Sequence, residues 1–304
     1  MAANSEIRLG VLAPYGHGLI TNPNFLRDFA LTVEAGGAES VWAVEHVVVA
    51  EDYEPNYPYS ADGRMPSRAA DAVPMPDPLE LLTFLAASTT RLRLGTAVVV
   101  APLHSAALLA KRAATLDVLS SGRLLLGLGI GWQKEEYAAV GAPFEGRGLR
   151  LEESVAAMRT LWGRGPSTFH GQTASFEAVH VVPKPVNGTV PIVLGGNSDA
   201  AVRRAGRLAD GWFPYTIGPE KFADAASQLR DAARRAGRDP SAVEITVWPG
   251  SYDPRLEWDV EWVRQFVKAG ATRLVLRLQV AKPDELTLVS EQLTRYRTEV
   301  LDRL

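Results

Sequence analysis

Cysteine is absent from the 304-residue chain. That excludes disulfides, thiolate metal sites, cysteine nucleophiles and iron–sulfur ligation. Lysine is scarce: it supplies 6 of the 32 basic residues, and arginine supplies the other 26. No basic block occurs, and 35 acidic residues bring the formal net charge to −3. Nucleic acid and anionic membrane surfaces are therefore not expected as main partners. No run of about 18 apolar residues occurs, so no membrane span is expected. Residues 1–14 show neither a basic stretch nor a long apolar core, so no signal peptide is read there and the cytoplasm is the expected compartment. The five histidines (His17, His46, His104, His170 and His180) form no His-x3-His pair and no tight cluster with carboxylates. No metal site is expected. A Gly-x-Ser-x-Gly elbow is also missing, which argues against a serine hydrolase.

What the chain does have is alternation. Short apolar runs at residues 7–12, 40–44, 92–100, 124–128, 191–194, 211–213, 244–247 and 274–278 read as buried strands. Between them lie amphipathic stretches of helical length, such as 79–88 behind the Asp77-Pro78 start signal and 105–119 behind Ser105, with Gly122 just beyond its end. The last helix carries Leu286, Val289, Leu293, Tyr296 and Val300 at spacings of three and four. Eight strands alternating with eight helices predict an α/β fold, a (β/α)8 TIM barrel over residues 1–304 as a single domain. Residues 165–190 break the alternation, with Gly171, Phe176, Val179, Pro183 and Pro185, and read as a hairpin-like insertion between strands four and five. A doubly wound open sheet is the rival, although it usually has fewer strands over this length.

In such a barrel the chemistry sits at the carboxyl ends of the strands. Tyr15 and His17 follow strand one within a glycine-rich turn. Glu45 and His46 follow strand two, where a histidine can serve as acid or base near neutral pH. The loop from residue 47 to 77 is rich in proline and holds Tyr53, Tyr57 and Tyr59, which suggests a lid or a pocket wall. Thr96, Ala97 and Val98 end strand three, and nothing in their types demands chemistry. Gly127-Leu128-Gly129-Ile130-Gly131-Trp132 ends strand four. Its glycine spacing differs from a dinucleotide fingerprint, and it suggests instead a flat ligand lying close to backbone. Gly195-Gly196-Asn197-Ser198 opens a helix after strand five, an arrangement suited to a phosphate. Trp248 and Arg277 lie near the ends of strands seven and eight.

Taken together, several segments carry a resemblance. They are Ser40-Val41-Trp42 with Glu45-His46, Tyr57-Pro58-Tyr59-Ser60, Arg93-Leu94-Gly95-Thr96, Gly127 to Trp132, Pro183-Lys184-Pro185, Gly195-Gly196-Asn197 and Asp210-Gly211-Trp212. The chain resembles the bacterial luciferase-like monooxygenase superfamily, and within it the branch that uses the deazaflavin coenzyme F420. The resemblance implies a barrel with an insertion near strand five. It also implies a flavin-type ring across the strand ends, beside a non-prolyl cis peptide joining Ala97 and Val98. It gives the coenzyme Glu45, Thr96, Ala97, Val98, Ile130, Gly131, Trp132, Gly195, Gly196 and Asn197, and makes His46 the catalytic acid or base. Tyr15, His17, Trp132, Trp248 and Arg277 would line the substrate pocket. Sugar-phosphate dehydrogenases of the superfamily place a glutamate where this chain has Trp132, so a more apolar, flatter substrate is expected. The implied activity is hydride transfer between F420 and a small organic substrate. The alternatives are a two-component monooxygenase using reduced FMN and a coenzyme-binding protein without turnover. A homodimer is expected by analogy.

Overall fold

A computed structural model of the chain describes residues 7–65 and 74–304. The barrel strands are β1 (Arg8–Leu12), β2 (Ser40–Ala43), β3 (Arg93–Thr96) continued by β4 (Val99–Val100), β5 (Leu124–Gly129), β8 (Ile192–Gly195), β9 (Gly211–Phe213), β10 (Glu244–Val247) and β11 (Arg273–Leu276). All pair in parallel in the order β3-β2-β1-β11-β10-β9-β8-β5-β4, and β3 also pairs with β5 to close the ring. This is the closed eight-stranded barrel expected from the alternation. Helices α1 (Pro23–Ala35), α2 (Pro78–Ala86), α3 (Ala106–Leu119), α5 (Arg147–Trp162), α6 (Asp199–Leu208), α7 (Pro219–Arg235), α8 (Val260–Lys268) and α9 (Leu286–Glu299) return the chain outside it. A short helix, α4 (Lys134–Ala139), follows β5 and was not expected. Strands β6 (Ser167–His170) and β7 (Ser175–Val179) form an antiparallel hairpin between the fourth and fifth barrel strands, with Phe169 stacked on Phe176 at 5.9 Å.

Local start signals explain several boundaries. Asp77 accepts hydrogen bonds from Leu79 N and Glu80 N and starts α2, as expected. Ser105 precedes α3 but makes no side-chain capping bond. The third strand departs from its expected continuous run at 92–100. It breaks after Thr96, and the Ala97–Val98 peptide is cis, the bond that the resemblance implied.

The interior of the barrel is filled in layers. Arg273 lies at the amino end of the strands, with no exposed surface. Its guanidinium donates to Glu39 at 2.8 and 2.9 Å, to Glu244 at 3.1 Å and to Thr246 at 2.9 Å. It also lies 5.6 Å from the Trp42 ring. Above it Trp42, Leu125, Val193, Phe213 and Val275 pack together, with Trp42 edge-on to Phe213 at 5.0 Å. The indole needs space on both sides. Gly10 on β1 and Gly95 on β3 provide it, since a Cβ at either would run into the Trp42 ring. A larger cluster, formed by the outward faces of the strands and the inward faces of the helices, surrounds this core.

Candidate functional site

A cleft of about 1270 Å³ opens at the carboxyl ends of the strands. It brings together Tyr15, His17, Glu45, His46, Ala97, Val98, Ile130, Gly131, Trp132, Gly195, Gly196, Asn197, Trp248 and Arg277, all singled out from the sequence. Thr96 is a correction. It is fully buried, its Oγ1 donates to Gly127 O at 2.7 Å, and it is not part of the cleft wall. The loop expected as a lid or wall contributes Asn56, Tyr57, Pro58, Tyr59, Ser60, Met65 and Met75. Its residues 66–73 lie outside the described residues.

The glycines of β5 and β8 have a cause other than the one expected. A Cβ on Gly129 would lie 2.5 Å from Val98 Cγ2, one on Gly195 would lie 3.1 Å from Val98 Cγ1, and one on Gly127 would meet Thr96 O. These glycines therefore receive the broken third strand, and the close approach is protein on protein. Ala97 and Val98 in turn form an apolar floor for the cleft.

Glu45 is committed beneath that floor. Its Oε2 accepts from Val100 N at 2.6 Å, and its Oε1 lies 2.9 Å from His104 Nε2. It braces the segment just after the break. Tyr15 accepts from Val44 N at 2.8 Å, and burial pushes its phenol up to about 12. His46 is held differently. Its Nδ1 lies 3.2 Å from Oε2 of Glu136, which is 1% exposed and whose Oε1 accepts from Val47 N at 2.6 Å. A carboxylate at Nδ1 favours a proton there and leaves Nε2 as the nitrogen open to exchange in the cleft. Glu136 was missed because no element was read after Trp132, and the charged run Lys134-Glu135-Glu136 has the pattern of solvated residues.

On the opposite wall the chain offers an anion site. Gly196 sits at φ +101 and leads into α6, where Ser198 caps the amino end through Ala201 N. Arg147, Arg204 and Lys221 line the same side. Arg147 lies 3.9 Å from the Phe144 ring, and its Nε is buried with no partner among the described residues. Asn197 contributes less than expected. Its side chain donates to Tyr215 O and accepts from Tyr215 N at 3.2 Å, tying the loops after β8 and β9 together. Its backbone remains part of the cradle. Backbone N–H groups, a helix amino end and the Arg147 guanidinium, whose Nη1 donates to Phe144 O at 3.4 Å and whose Nε has no partner among the described residues, fit a phosphate. An apolar floor beside them fits a flat ring. The residues present therefore suit a flavin-type coenzyme.

Trp248 and Arg277 share one support on the far side. Glu257 Oε1 accepts from Trp248 Nε1 at 2.6 Å and from Arg277 N at 3.1 Å. Burial raises the Glu257 carboxyl, more than these bonds lower it. Among the described residues no group of three or more metal-ligating side chains occurs, and no helix is long and apolar enough to cross a membrane.

The family profile described as luciferase-like monooxygenase matches residues 7–251. The chain belongs to that family. An uncharacterized protein of Mycobacterium tuberculosis is 29% identical over 262 residues, covering 86% of this chain and 87% of its own length. Pyrimidine monooxygenase RutA of Escherichia coli is 36% identical over 169 residues, 52% of this chain and 46% of that protein. Among solved structures, the coenzyme F420-dependent tetrahydromethanopterin reductase of Methanopyrus kandleri aligns with a TM-score of 0.71 at 18% identity, covering 98% of this chain and 99% of that one. The oxygenating constituent of 3,6-diketocamphane monooxygenase from Pseudomonas putida, in complex with FMN, aligns at 0.74 and 16% identity, over 98% and 99%. At such identities the likeness shows the fold. Luciferase-like relatives of this fold include F420-dependent oxidoreductases and monooxygenases, with FMN bound in one of them.

Proposed function

We propose that the protein is an F420-dependent oxidoreductase that moves a hydride between the deazaflavin ring and a small organic substrate, with His46 as acid or base. When bound, the coenzyme supplies the hydride chemistry. The chain's own residues orient, exclude water and move a proton. Ala97 and Val98 offer a flat apolar floor, with Ile130 and Gly131 at its edge. The Gly195-Gly196-Asn197-Ser198 turn, Arg147 and Arg204 take the phosphate. Glu136 holds His46 by Nδ1, so that Nε2 can give or take the proton that accompanies hydride transfer. Tyr57 and Trp132 cover the His46 side from water.

The preference for F420 over FMN rests on Arg204. It also lines an adjoining cavity of about 300 Å³, shared with Arg203, Arg207 and Arg235, where Glu152 pairs with Arg204 and Arg207 at 3.0 Å each and leaves a surplus of positive charge. The deazaflavin coenzyme continues past its phosphate as an anionic chain, whereas FMN ends there. An arginine-lined groove leading off from the phosphate site favours the longer ligand. The names of the monooxygenase relatives favour the second reading, reduced FMN with oxygen.

Titration of the purified protein with F420 and with FMN, followed by tryptophan quenching, tests the two. Micromolar F420 binding with weaker FMN binding is expected. Arg207→Ala with Arg235→Ala weakens F420 binding and leaves FMN binding unchanged. The reverse preference, with oxygen uptake in the presence of reduced FMN, overturns the proposal. His46→Ala lowers turnover about a hundredfold and leaves the coenzyme Kd unchanged; normal turnover in that variant removes the role of His46.

A further inference from the structure

The hydride reading uses only one end of the cleft's aromatic wall, the part that covers His46. Rings from four separate segments meet across its mouth. Trp132 is met by Tyr57 at 5.1 Å and by His46 at 6.2 Å, and is backed at 5.1 Å by Tyr53, which does not itself line the cleft. Tyr57 packs on Tyr59 at 5.4 Å, Tyr59 on Tyr215 at 4.9 Å, and Tyr215 on Trp248 at 5.9 Å. Interplanar angles from Tyr53 round to Tyr215 run from 69° to 87°. Neighbouring rings at right angles cannot all turn the same side to the cleft. The arc therefore offers both π faces and C–H edges, the two surfaces a planar ring needs for stacked and edge-on contact.

The volume leaves room for such a guest. Pockets for one drug-sized ligand span roughly 300–1,000 Å³, and this cleft exceeds that range. Charge narrows the guest further. Glu45 is the one acidic residue among the described lining residues, and both its oxygens are engaged below the floor. Arg277 stands exposed beside Trp248 and Leu278 on the same wall. A cationic guest would find aromatic faces but no carboxylate partner, and an arginine nearby. The Tyr57 and Tyr59 phenols are protonated at neutral pH as tyrosines ordinarily are; Tyr57 is engaged with Tyr215, and the Tyr59 hydroxyl is a donor suited to a carbonyl oxygen.

We infer that this aromatic arc is the substrate subsite, and that it selects planar, conjugated carbonyl compounds over saturated or cationic ones of the same size. The assignment rests on the coenzyme occupying the floor below, as proposed above.

Calorimetric titrations of the protein with 1,4-naphthoquinone, 1-decalone and trimethylphenylammonium, each with and without saturating F420, test it. Binding of naphthoquinone about tenfold tighter than decalone is expected, because each ring–ring contact contributes a few-fold. Tyr59→Leu and Tyr215→Leu remove that preference, and Tyr59→Phe keeps most of it. All three leave F420 affinity unchanged, which shows that the fold is intact. Equal affinity for the three probes, tighter binding of the ammonium ion, or an undiminished preference in Tyr59→Leu overturns the inference. Failure of F420 to bind while the ring preference persists refutes the coenzyme reading and leaves the arc as a ring-binding site. F420 binding without a ring preference does the opposite.

Discussion

At the scale of single residues, the site depends on side chains that support others. Glu136 is one of these. Its carboxylate is nearly without exposure, 3.2 Å from His46 Nδ1, and is fixed by Val47 N. Glu136→Gln keeps the shape but can turn its amide NH2 to the ring, so the Nδ1–H tautomer of His46 loses its acceptor. Nitrogen NMR of the neutral imidazole is expected to show the proton mainly on Nδ1 in the parent and redistributed to Nε2 in the variant, with turnover reduced at least tenfold. An unchanged tautomer would remove Glu136 from this role. Much of this was hidden in the sequence for physical reasons. A histidine after a strand is conspicuous because few side chains titrate near neutrality. A glutamate in an acidic helix start is not, because solvated acids stand in the same pattern. Arg147 and Arg204 were equally invisible, since one arginine among 26 carries no signal.

Among the elements, the third strand shows most clearly where a sequence stops being readable. The eight alternations were legible because burial on both faces demands unbroken apolar runs. The break inside 92–100 was legible only through the family resemblance, which placed the cis peptide at Ala97–Val98; the residue types hide it, because Thr96, Val98, Val99 and Val100 all favour a strand locally. Its trace lay on the neighbours instead, in Gly127, Gly129 and Gly195, which accommodate the break. Gly129→Ala is expected to cost about 1–3 kcal/mol in urea unfolding through the clash with Val98. Val98→Ala in the same chain restores most of that loss, a coupling that a double-mutant cycle measures; simple additivity would deny the contact. The ion-paired layer around Arg273, at the amino end of the barrel, responds to pH. Desolvation raises the Glu39 and Glu244 carboxyls, but hydrogen bonds and charge from Arg273, with Arg8 at Glu244, outweigh it and leave both lowered. Lowered carboxyls stabilise the fold above the ordinary carboxylate range of about 4.3, and that contribution disappears as the pH falls below it. Melting temperature is therefore expected to drop steeply from pH 5 towards pH 3. Glu39→Gln is less stable by about 3 kcal/mol at neutral pH and shows a flatter acid profile. A parent-like profile in that variant would assign the acid sensitivity elsewhere.

For the molecule as a whole, the layers stack along one axis: an ion-paired base, an apolar middle, a flat floor and an aromatic mouth. The amino end of the barrel is filled by Arg273 and its carboxylates, with Trp42 directly above. Among the described residues the cleft is thus a blind cup, entered and left from above. A guest resting on Ala97 and Val98 lies inboard of one held among the tyrosines. The inner guest has to arrive first and depart last. With the coenzyme as the inner guest, as proposed, steady-state kinetics are expected to follow a compulsory order, in which spent coenzyme competes with fresh coenzyme for the empty cup. The organic product, released first, inhibits without competing against either.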